Sequence, residues 1–250
     1  MTYSIVARDP ETGHLGIAVA SRFFAVGSHV PHIRYNAAVA TQAFVNPLWG
    51  IEGARRLTAG ELAEDVLADF IARDGGQSLR QAHMIDRHGH SVAHTGSACT
   101  DWAGHLIEEN VSVAGNMLTG PDVVGDTMAC YRANMDKPFV ERLMLAMEAG
   151  EKAGGDKRGR QAAALRVHCG QDYPHFDLRV DDHGDPLAEL RRLHAVAGER
   201  MVPFTKTMAT ADNFSGTTDR TELDASIARH EAERRANNIP SPSLAPPTDI

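Results

Sequence analysis

The second residue of the chain is the one whose position suggests chemistry. The sequence begins Met1-Thr2, and the strand-like segment YSIVAR follows at residues 3–8. An initiator Met before a small residue such as Thr is usually removed in the cell, which would leave Thr2 with a free α-amine. That residue then carries a hydroxyl nucleophile and a base together, because an α-amine with a pKa of about 7.7–8.0 is partly neutral at cellular pH. The arrangement predicts acyl transfer through the Thr2 hydroxyl.

Three further polar residues are candidates to assist this nucleophile. Asn116 ends the segment VAGNML, and its amide could donate to the oxyanion of a tetrahedral intermediate, although a turn-forming Asn after Gly115 is an equal interpretation. Ser21 could hydrogen-bond the Thr2 amine, or simply end a strand. Arg22 could hold a substrate carboxylate through two parallel hydrogen bonds, or be an ordinary surface arginine.

Residues 154–160 read GGDKRGR and are rich in glycine. They lack the pattern of a phosphate-binding loop and precede a predicted strand rather than a helix, so we do not expect a nucleotide there. We interpret them as a tight loop near the site, in which Asp156 and Lys157 could pair. Both are candidate substrate-binding residues.

Two groups of residues have the composition of metal ligands. They are His83, His88, His90 and His94, and Asp181, Asp182, His183 and Asp185. His88 and His90 flank Gly89 of a predicted turn, and no further group at ligand spacing supports them. Solvated histidines and a helix cap are therefore the favoured interpretation. We expect no metal and no cofactor, and a metal-dependent hydrolase is the third-ranked alternative.

The elements that would position Thr2 follow from hydrophobic periodicity and turn residues. A hairpin is predicted at residues 3–8 and 15–20, and a second hairpin turns at His88-Gly89. Further strands are predicted at about 37–44, in HLIEEN and VSVAGNML, and in AALRVHC and DLRVDD. Helices are predicted at 48–58, 61–74 and 138–150, and another to about 133 that opens with a capping box from Thr119 to Asp122. This order predicts an α+β fold, a four-layer α-β-β-α sandwich.

The character of the chain changes towards its C-terminus. We predict one main domain over residues 2–194 and a helical C-terminal extension over 195–238. Residues 239–250 are rich in Pro and Ser, which is typical of a disordered tail.

Composition and charge exclude several classes of function. The chain has 250 residues and a formal net charge of −8, which argues against binding to nucleic acid or to an anionic membrane. No apolar run reaches the length of a membrane span, and the N-terminus resembles no secretory signal. Three widely spaced cysteines form neither a zinc motif nor a disulfide framework. These features predict a cytoplasmic protein with reduced thiols.

Unusual strings recur along the chain from residue 2 to about residue 194. In order, they are SIVARDPETGHLGIAVASRFFAVG, VATQAF, AHTGSACTDWAGH, VAGNML, AGGDKRGRQAAAL and DLRVDDH-DP-AELRRL, in which each dash is a position outside the resemblance. Together they resemble the bacterial domain-of-unknown-function family 1028 (DUF1028), which is grouped with the N-terminal-nucleophile (Ntn) hydrolases. The resemblance implies the α-β-β-α sandwich and an amidohydrolase reaction by an N-terminal Thr, Ser or Cys, which here is Thr2.

The resemblance also implies features that this sequence lacks. Proteasome-like Ntn hydrolases use an acidic residue near the end of the second strand and a Lys on a later strand, where this chain has Ala20-Ser21-Arg22 and Arg34. An arginine does not act as a base, so Arg34 is expected to hold a substrate carboxylate or lower the pKa of the amine. Ntn proteins commonly associate through their helical layers, which implies a homodimer. Some relatives are joined to peptidoglycan-binding modules, which implies a peptide-like amide.

Three hypotheses about function follow. The first is an N-terminal-nucleophile amidohydrolase acting on a small amide or peptide-like substrate, with Thr2 as nucleophile and Asn116 at the oxyanion. The second is a non-catalytic small-molecule-binding protein of the same fold, favoured by the missing acidic and Lys helpers. The third is the metal-dependent hydrolase that would use the histidines.

Overall fold

The computed structural model describes residues 2–245 of the chain. Met1, whose removal we expect, and residues 246–250, the end of the expected disordered tail, lie outside the described residues. Within residues 2–245 the chain forms a mixed α+β fold with two antiparallel sheets and seven α-helices.

The strands, in chain order, are β1 (Thr2–Arg8), β2 (Leu15–Ser21), β3 (Pro31–Arg34), β4 (Ala37–Ala43), β5 (Arg80–Ile85), β6 (Ser91–Thr95), β7 (Trp102–Glu108), β8 (Val111–Leu118), β9 (Ala162–His168) and β10 (Phe176–Val180). The helices are α1 (Pro47–Thr58), α2 (Ala63–Arg73), α3 (Asp122–Ala133), α4 (Phe139–Lys152), α5 (Pro186–Glu199), α6 (Met201–Thr205) and α7 (Thr221–Ala236). Both predicted hairpins are confirmed, and Gly13 and Gly89 take the left-handed conformation in their turns.

The strands form one six-stranded sheet and one four-stranded sheet. Their orders are β10-β9-β2-β1-β8-β7 and β3-β4-β5-β6. The face of β1 that carries Tyr3 meets α4, where the Tyr3 hydroxyl donates to the Met147 carbonyl over 2.9 Å. The opposite face carries Ser4, whose hydroxyl donates to Gln42 on β4 over 2.7 Å. Because side chains alternate along a strand, both faces of β1 are covered, which explains why six of its seven residues are buried.

Helices contact strands of both sheets. Helices α3 and α4 contact strands of the six-stranded sheet, whereas α1 contacts β3 and β4 and α2 contacts β6. Strand β1 contacts β4 and β5 across the gap between the sheets. This gap holds an apolar core that includes Val6, Ile17, Ala38 and Ile85.

The predicted capping box at the start of α3 is wrong. The helix begins at Asp122 without a side-chain cap, and the Thr119 hydroxyl instead lies 3.5 Å from the Ala153 carbonyl. The Thr119 N–H is bound to the Gly155 carbonyl at 3.3 Å, so tertiary contacts hold this residue away from the helix end.

The chain divides into two compact units, one that ends at Leu187 and one that begins at Ala188. The first contains both sheets and α1–α4. The second contains most of α5 together with α6 and α7, and ion pairs such as Arg200–Glu231 at 2.6 Å join residues within it. In the described range, no helix is both long and apolar enough to cross a membrane.

Candidate functional site

Thr2 occupies the start of β1, in the interior of the six-stranded sheet. Its Oγ1 lies 3.1 Å from the Ser21 Oγ at the end of β2, and its Cα pairs with that of Asn116 near the end of β8. Since β1 is antiparallel to both neighbours, its first residue meets the last residues of each. The fold thus brings together three residues that the sequence singled out: Thr2, Ser21 and Asn116.

A cavity of about 60 Å³ opens beside Thr2. The apolar residues of its lining are Phe23, Val26, Val30, Ala43 and Val45. The polar residues are Thr2, His29 and Gln42. Val26 and Val30 are buried, whereas Phe23 is 54 % exposed. The Thr2 residue is itself only 6 % exposed. The nucleophile candidate is therefore held within the sheet but borders a small, mainly apolar space.

The Asn116 side chain is already engaged in hydrogen bonds. Its Nδ2 donates to Gln81 Oε1 over 2.9 Å and lies 3.5 Å from the Thr2 carbonyl oxygen. Asn116 is 1 % exposed. These contacts place the amide against the backbone of Thr2 and make it suited to fixing the position of that residue.

Two buried glutamines extend this contact into the gap between the sheets. Gln42 Nε2 donates to Gln81 Oε1 over 2.9 Å, and Gln42 Oε1 accepts from Ser4. Gln81 Nε2 donates to the Gly115 carbonyl over 2.8 Å and to Thr95 Oγ1 over 2.9 Å. Buried polar groups need such partners, and a satisfied network rigidifies its surroundings. The network therefore fixes the strand ends around Thr2.

These glutamines were not singled out by the sequence analysis. The signal was present, because Gln42 in VATQAF and Gln81 in RQAHMI lie in strand segments that also carry buried apolar residues. A buried strand that carries an amide implies a partner of matching polarity nearby. The cavity residues Phe23, His29 and Ala43 carry no comparable signal.

His83 lies in the same gap between the sheets. Its Nε2 is 2.8 Å from Ser4 Oγ, and its Nδ1 is 3.0 Å from Ser112 Oγ. Burial, reinforced by the charge of nearby His105, lowers the pKa of His83 to about 3. The imidazole is thus neutral at physiological pH, and both of its nitrogens are occupied.

The histidines do not assemble into a metal site. His83 pairs with Ala93 across β5 and β6, so the adjacent His94 lies on the opposite face of the sheet. His94 Nε2 instead contacts the Gln77 carbonyl over 2.9 Å. Within residues 2–245, no group of three or more His, Cys, Asp or Glu side chains is arranged to hold a metal ion.

The glycine-rich loop at 154–160 is joined to the end of β2 through Asp156. One Asp156 oxygen accepts the backbone N–H of Arg22 over 2.7 Å, and the other accepts that of Arg158 over 2.8 Å. The expected pair between Asp156 and Lys157 does not form, because Lys157 Nζ lies 2.7 Å from Asp101 Oδ1. Asp156, which is 5 % exposed, positions the segment that follows Ser21.

Arg34 is not brought to Thr2. It pairs with Ala37 next to the turn between β3 and β4, whereas Gln42, which borders the cavity, lies at the other end of β4. The Arg34 guanidinium makes an ion pair with Asp172. The hairpin therefore directs Arg34 away from the cavity, and a role for it in binding substrate there is not supported.

Three of the six non-glycine residues that have a positive φ within residues 2–245 lie around the site. Ala25, Ala43 and Met117 have positive φ angles of 53°, 68° and 55°. Ala43 lines the cavity, Ala25 precedes the lining residue Val26, and Met117 follows Asn116. For residues other than glycine this conformation is energetically unfavourable. It is kept where the surrounding structure enforces it, which is common at functional sites.

Comparison with known proteins gives a consistent picture. The model of the "Family of unknown function (DUF1028)" matches residues 2–190. The crystal structure of protein SPO2555 from Silicibacter pomeroyi, of the same family model, is 30 % identical, with a TM-score of 0.80 over 87 % of this chain and 99 % of that chain. Among curated proteins, no sequence matches. Since the family match covers three quarters of the sequence and includes the Thr2 site, this chain belongs to the family of unknown function DUF1028.

Proposed function

We propose that this protein is an N-terminal-nucleophile amidohydrolase that acts on a small amide or peptide-like bond through Thr2 after removal of Met1. The observation that carries the proposal is the position of Thr2. Its hydroxyl lies 3.1 Å from Ser21, in an interior strand, and the residue borders a cavity. A nucleophile must be both fixed in place and reachable by substrate, and this position meets both needs.

The same proposal extends to the architecture. We infer that the two sheets and the helices on their outer sides form the four-layer α-β-β-α sandwich typical of Ntn hydrolases. The contacts of β1 with β4 and β5, and of the helices with each sheet, support this inference.

In the proposed first step, the Thr2 α-amine accepts the hydroxyl proton as Oγ1 bonds to the amide carbonyl carbon. The tetrahedral intermediate collapses when the C–N bond breaks and the amine proton passes to the leaving nitrogen. Water then attacks the resulting ester, its proton goes to the α-amine, and the acid is released as the Thr2 oxygen regains a proton. One water is consumed, and one acid and one amine are formed.

The neighbouring residues support these reaction steps by holding Thr2 in position. Ser21 Oγ orients the Thr2 hydroxyl, and Asn116 fixes the Thr2 carbonyl. Because the Asn116 amide is directed to Gln81 and to Thr2 itself, we assign it a positioning role rather than the oxyanion contact. The α-amine is the base because it lies on the same residue as the attacking hydroxyl.

The test combines intact mass with substitution of the nucleophile. The protein is expressed without an N-terminal tag, and its mass shows whether Met1 is removed. Wild type, Thr2→Ser and Thr2→Ala are then assayed on a set of small amides; all three carry a small second residue, so Met1 removal is matched. We expect turnover by wild type and Thr2→Ser and none by Thr2→Ala. Equal turnover by Thr2→Ala would overturn the proposal.

A second candidate function is a small-molecule-binding protein that performs no chemistry. Two observations favour it: Ala20 stands where an acidic helper is expected, and Arg34 lies away from the cavity. This function predicts that a ligand binds equally well to wild type and to Thr2→Ala. It also predicts that retention of Met1 leaves binding unchanged.

A further inference from the structure

Three consecutive residues, the last of β2 and the two that follow it, connect Thr2 with two different spaces. Ser21 contacts the Thr2 hydroxyl, Phe23 lines the apolar cavity beside Thr2, and Arg22 between them lines a separate, larger groove. The cavity beside Thr2 and the groove are therefore lined by adjacent residues of one segment, Phe23 and Arg22. The identity of these walls restricts what the substrate can be.

The apolar cavity suits a small aliphatic group. Its volume is about 60 Å³, and its walls include the side chains of Val26, Val30 and Val45. Burial of CH₂ groups in such a space favours binding through the hydrophobic effect. Because Thr2 itself borders this cavity, a group placed there lies next to the proposed nucleophile.

The groove that Arg22 lines has a volume of about 580 Å³. Within the described residues, Arg22 forms no ion pair, and its side chain donates only to the Arg158 carbonyl, over 3.0 Å. Gly159 lies against it: a Cβ there would come within 3.1 Å of the Arg22 Nη1. The remaining donors of a guanidinium fit a carboxylate, which accepts two parallel hydrogen bonds.

The other charges in the groove are already balanced or engaged. Arg160 pairs with Glu151 at 2.5 Å and with Asp185 at 3.4 Å. The Asp182 carboxylate accepts a hydrogen bond from Gln161 over 3.1 Å. Arg22 is thus the cation available to an anionic group, and Asp182 is the like charge that such a group would meet.

From this geometry we infer that the substrate is a small N-acyl amino acid. Its aliphatic acyl group fills the cavity beside Thr2, and the carboxylate on the amine side pairs with Arg22. The inference rests on the proposed function, since it assigns the acyl and amine sides relative to attack by Thr2. Hydrolysis adds one water across the C–N bond and yields an aliphatic acid and an amino acid.

The first experiment compares N-acyl glycines with the matching N-acyl glycinamides, which lack the carboxylate. We expect wild type to prefer the glycines by roughly tenfold or more in kcat/KM, and Arg22→Ala to abolish that preference through KM. Asp182→Asn should lower KM for the glycines, since it removes a like charge. Arg132→Ala, which removes an exposed arginine paired with Glu108, is the matched control.

The lengths of the acyl group and of the amine part distinguish a small N-acyl amino acid from a longer acyl substrate or the end of a peptide. Acetyl and isobutyryl glycine should be turned over faster than octanoyl glycine or an acetylated tripeptide. Faster turnover of octanoyl glycine would overturn the assignment to a small acyl group, and faster turnover of the tripeptide would overturn the assignment to a single amino acid.

Binding to Thr2→Ala separates this inference from the proposed function. We expect isobutyryl glycine to bind Thr2→Ala and to bind the double variant Thr2→Ala/Arg22→Ala roughly tenfold more weakly. If wild type proves inactive but this difference is found, the carboxylate site stands and the amidohydrolase function fails. If wild type hydrolyses glycines and glycinamides equally and Arg22→Ala changes neither, the function stands and this inference is wrong.

Discussion

Thr2 and Asn116 are directly opposite one another on β1 and β8, and the Asn116 amide lies 3.5 Å from the Thr2 carbonyl oxygen. The same amide donates to Gln81, which reaches across from the second sheet over 2.9 Å. The backbone of the proposed nucleophile is therefore linked to both sheets through a single side chain. Four predictions test this site and its surroundings.

The first prediction concerns Gln81, the residue with most hydrogen bonds in the network. Gln81→Met preserves the size of the side chain but removes the acceptor that Asn116 and Gln42 share and the donor to the Gly115 carbonyl. We expect the free energy of unfolding to fall by about 2–4 kcal/mol, since each unpaired buried group costs about 1–3 kcal/mol. Chemical denaturation measures this difference.

Gln77→Met is the matched control for this substitution. Gln77 is half-buried, and its side chain makes no hydrogen bond within the described part of the chain. We expect a change within about 0.5 kcal/mol. Equal losses in the two variants would contradict an anchoring role for Gln81.

The second prediction concerns Ser21, which contacts the Thr2 hydroxyl. Ser21→Ala removes one hydrogen bond worth about 0.5–1.5 kcal/mol, so we expect kcat to fall roughly tenfold while KM changes little. Steady-state kinetics on an amide that wild type hydrolyses measures both constants. An unchanged kcat would show that Ser21 does not orient the nucleophile.

The third prediction concerns pH and His83. Its pKa is lowered to about 3 by burial, whereas an unfolded histidine has a pKa of about 6.5, so the unfolded state binds more protons between these values. The contribution of neutral His83 is complete above pH ~6.5 and is lost as pH falls towards the folded pKa, by about 1.4 kcal/mol per unit.

His83→Gln keeps hydrogen-bonding capacity but does not titrate. We expect its free energy of unfolding to decline less steeply than that of wild type between pH 6.5 and 4.5, because one proton-binding group is removed from the unfolded state. Other histidines with lowered pKa values, such as His32 and His168, act in the same direction in both proteins. Parallel curves for the two proteins would contradict the assignment to His83.

The fourth prediction concerns strain at Ala43, whose φ of 68° disfavours a side chain. Ala43→Gly relieves this cost, so we expect the free energy of unfolding to be unchanged or raised by up to about 1 kcal/mol. Ala38→Gly, in the same strand without a positive φ, should lose about 1 kcal/mol. Thermal unfolding of the two variants compares them, and equal losses would argue against strain at Ala43.

Much of the fold follows from local sequence patterns. Turn residues such as Gly13 and Gly89 mark hairpins because only a few residue types accept their backbone geometry, and these predictions are confirmed. The meeting of Thr2, Ser21 and Asn116 also follows, since neighbouring antiparallel strands must bring their opposite ends together.

The parts that the sequence did not predict depend on contacts between distant segments. Lys157 pairs with Asp101 rather than with its neighbour Asp156, and Thr119 binds the 153–155 segment rather than capping α3. The sequence did not predict that Arg34 lies at the end of the β3–β4 hairpin opposite to the cavity. In each case the local sequence is compatible with more than one partner, and the tertiary fold determines which contact forms.

The glutamine network has a consequence for how the chain folds. A slip of β1 by one residue would turn Tyr3 towards Gln42 and Ser4 towards α4, so the amides would be buried without partners. Such a mispaired intermediate is penalised at several atoms at once, and only the native register is free of this penalty. The correct position of Thr2 therefore depends on the correct alignment of both sheets. In a chain whose sheets are misaligned, the Thr2 hydroxyl is not presented to substrate.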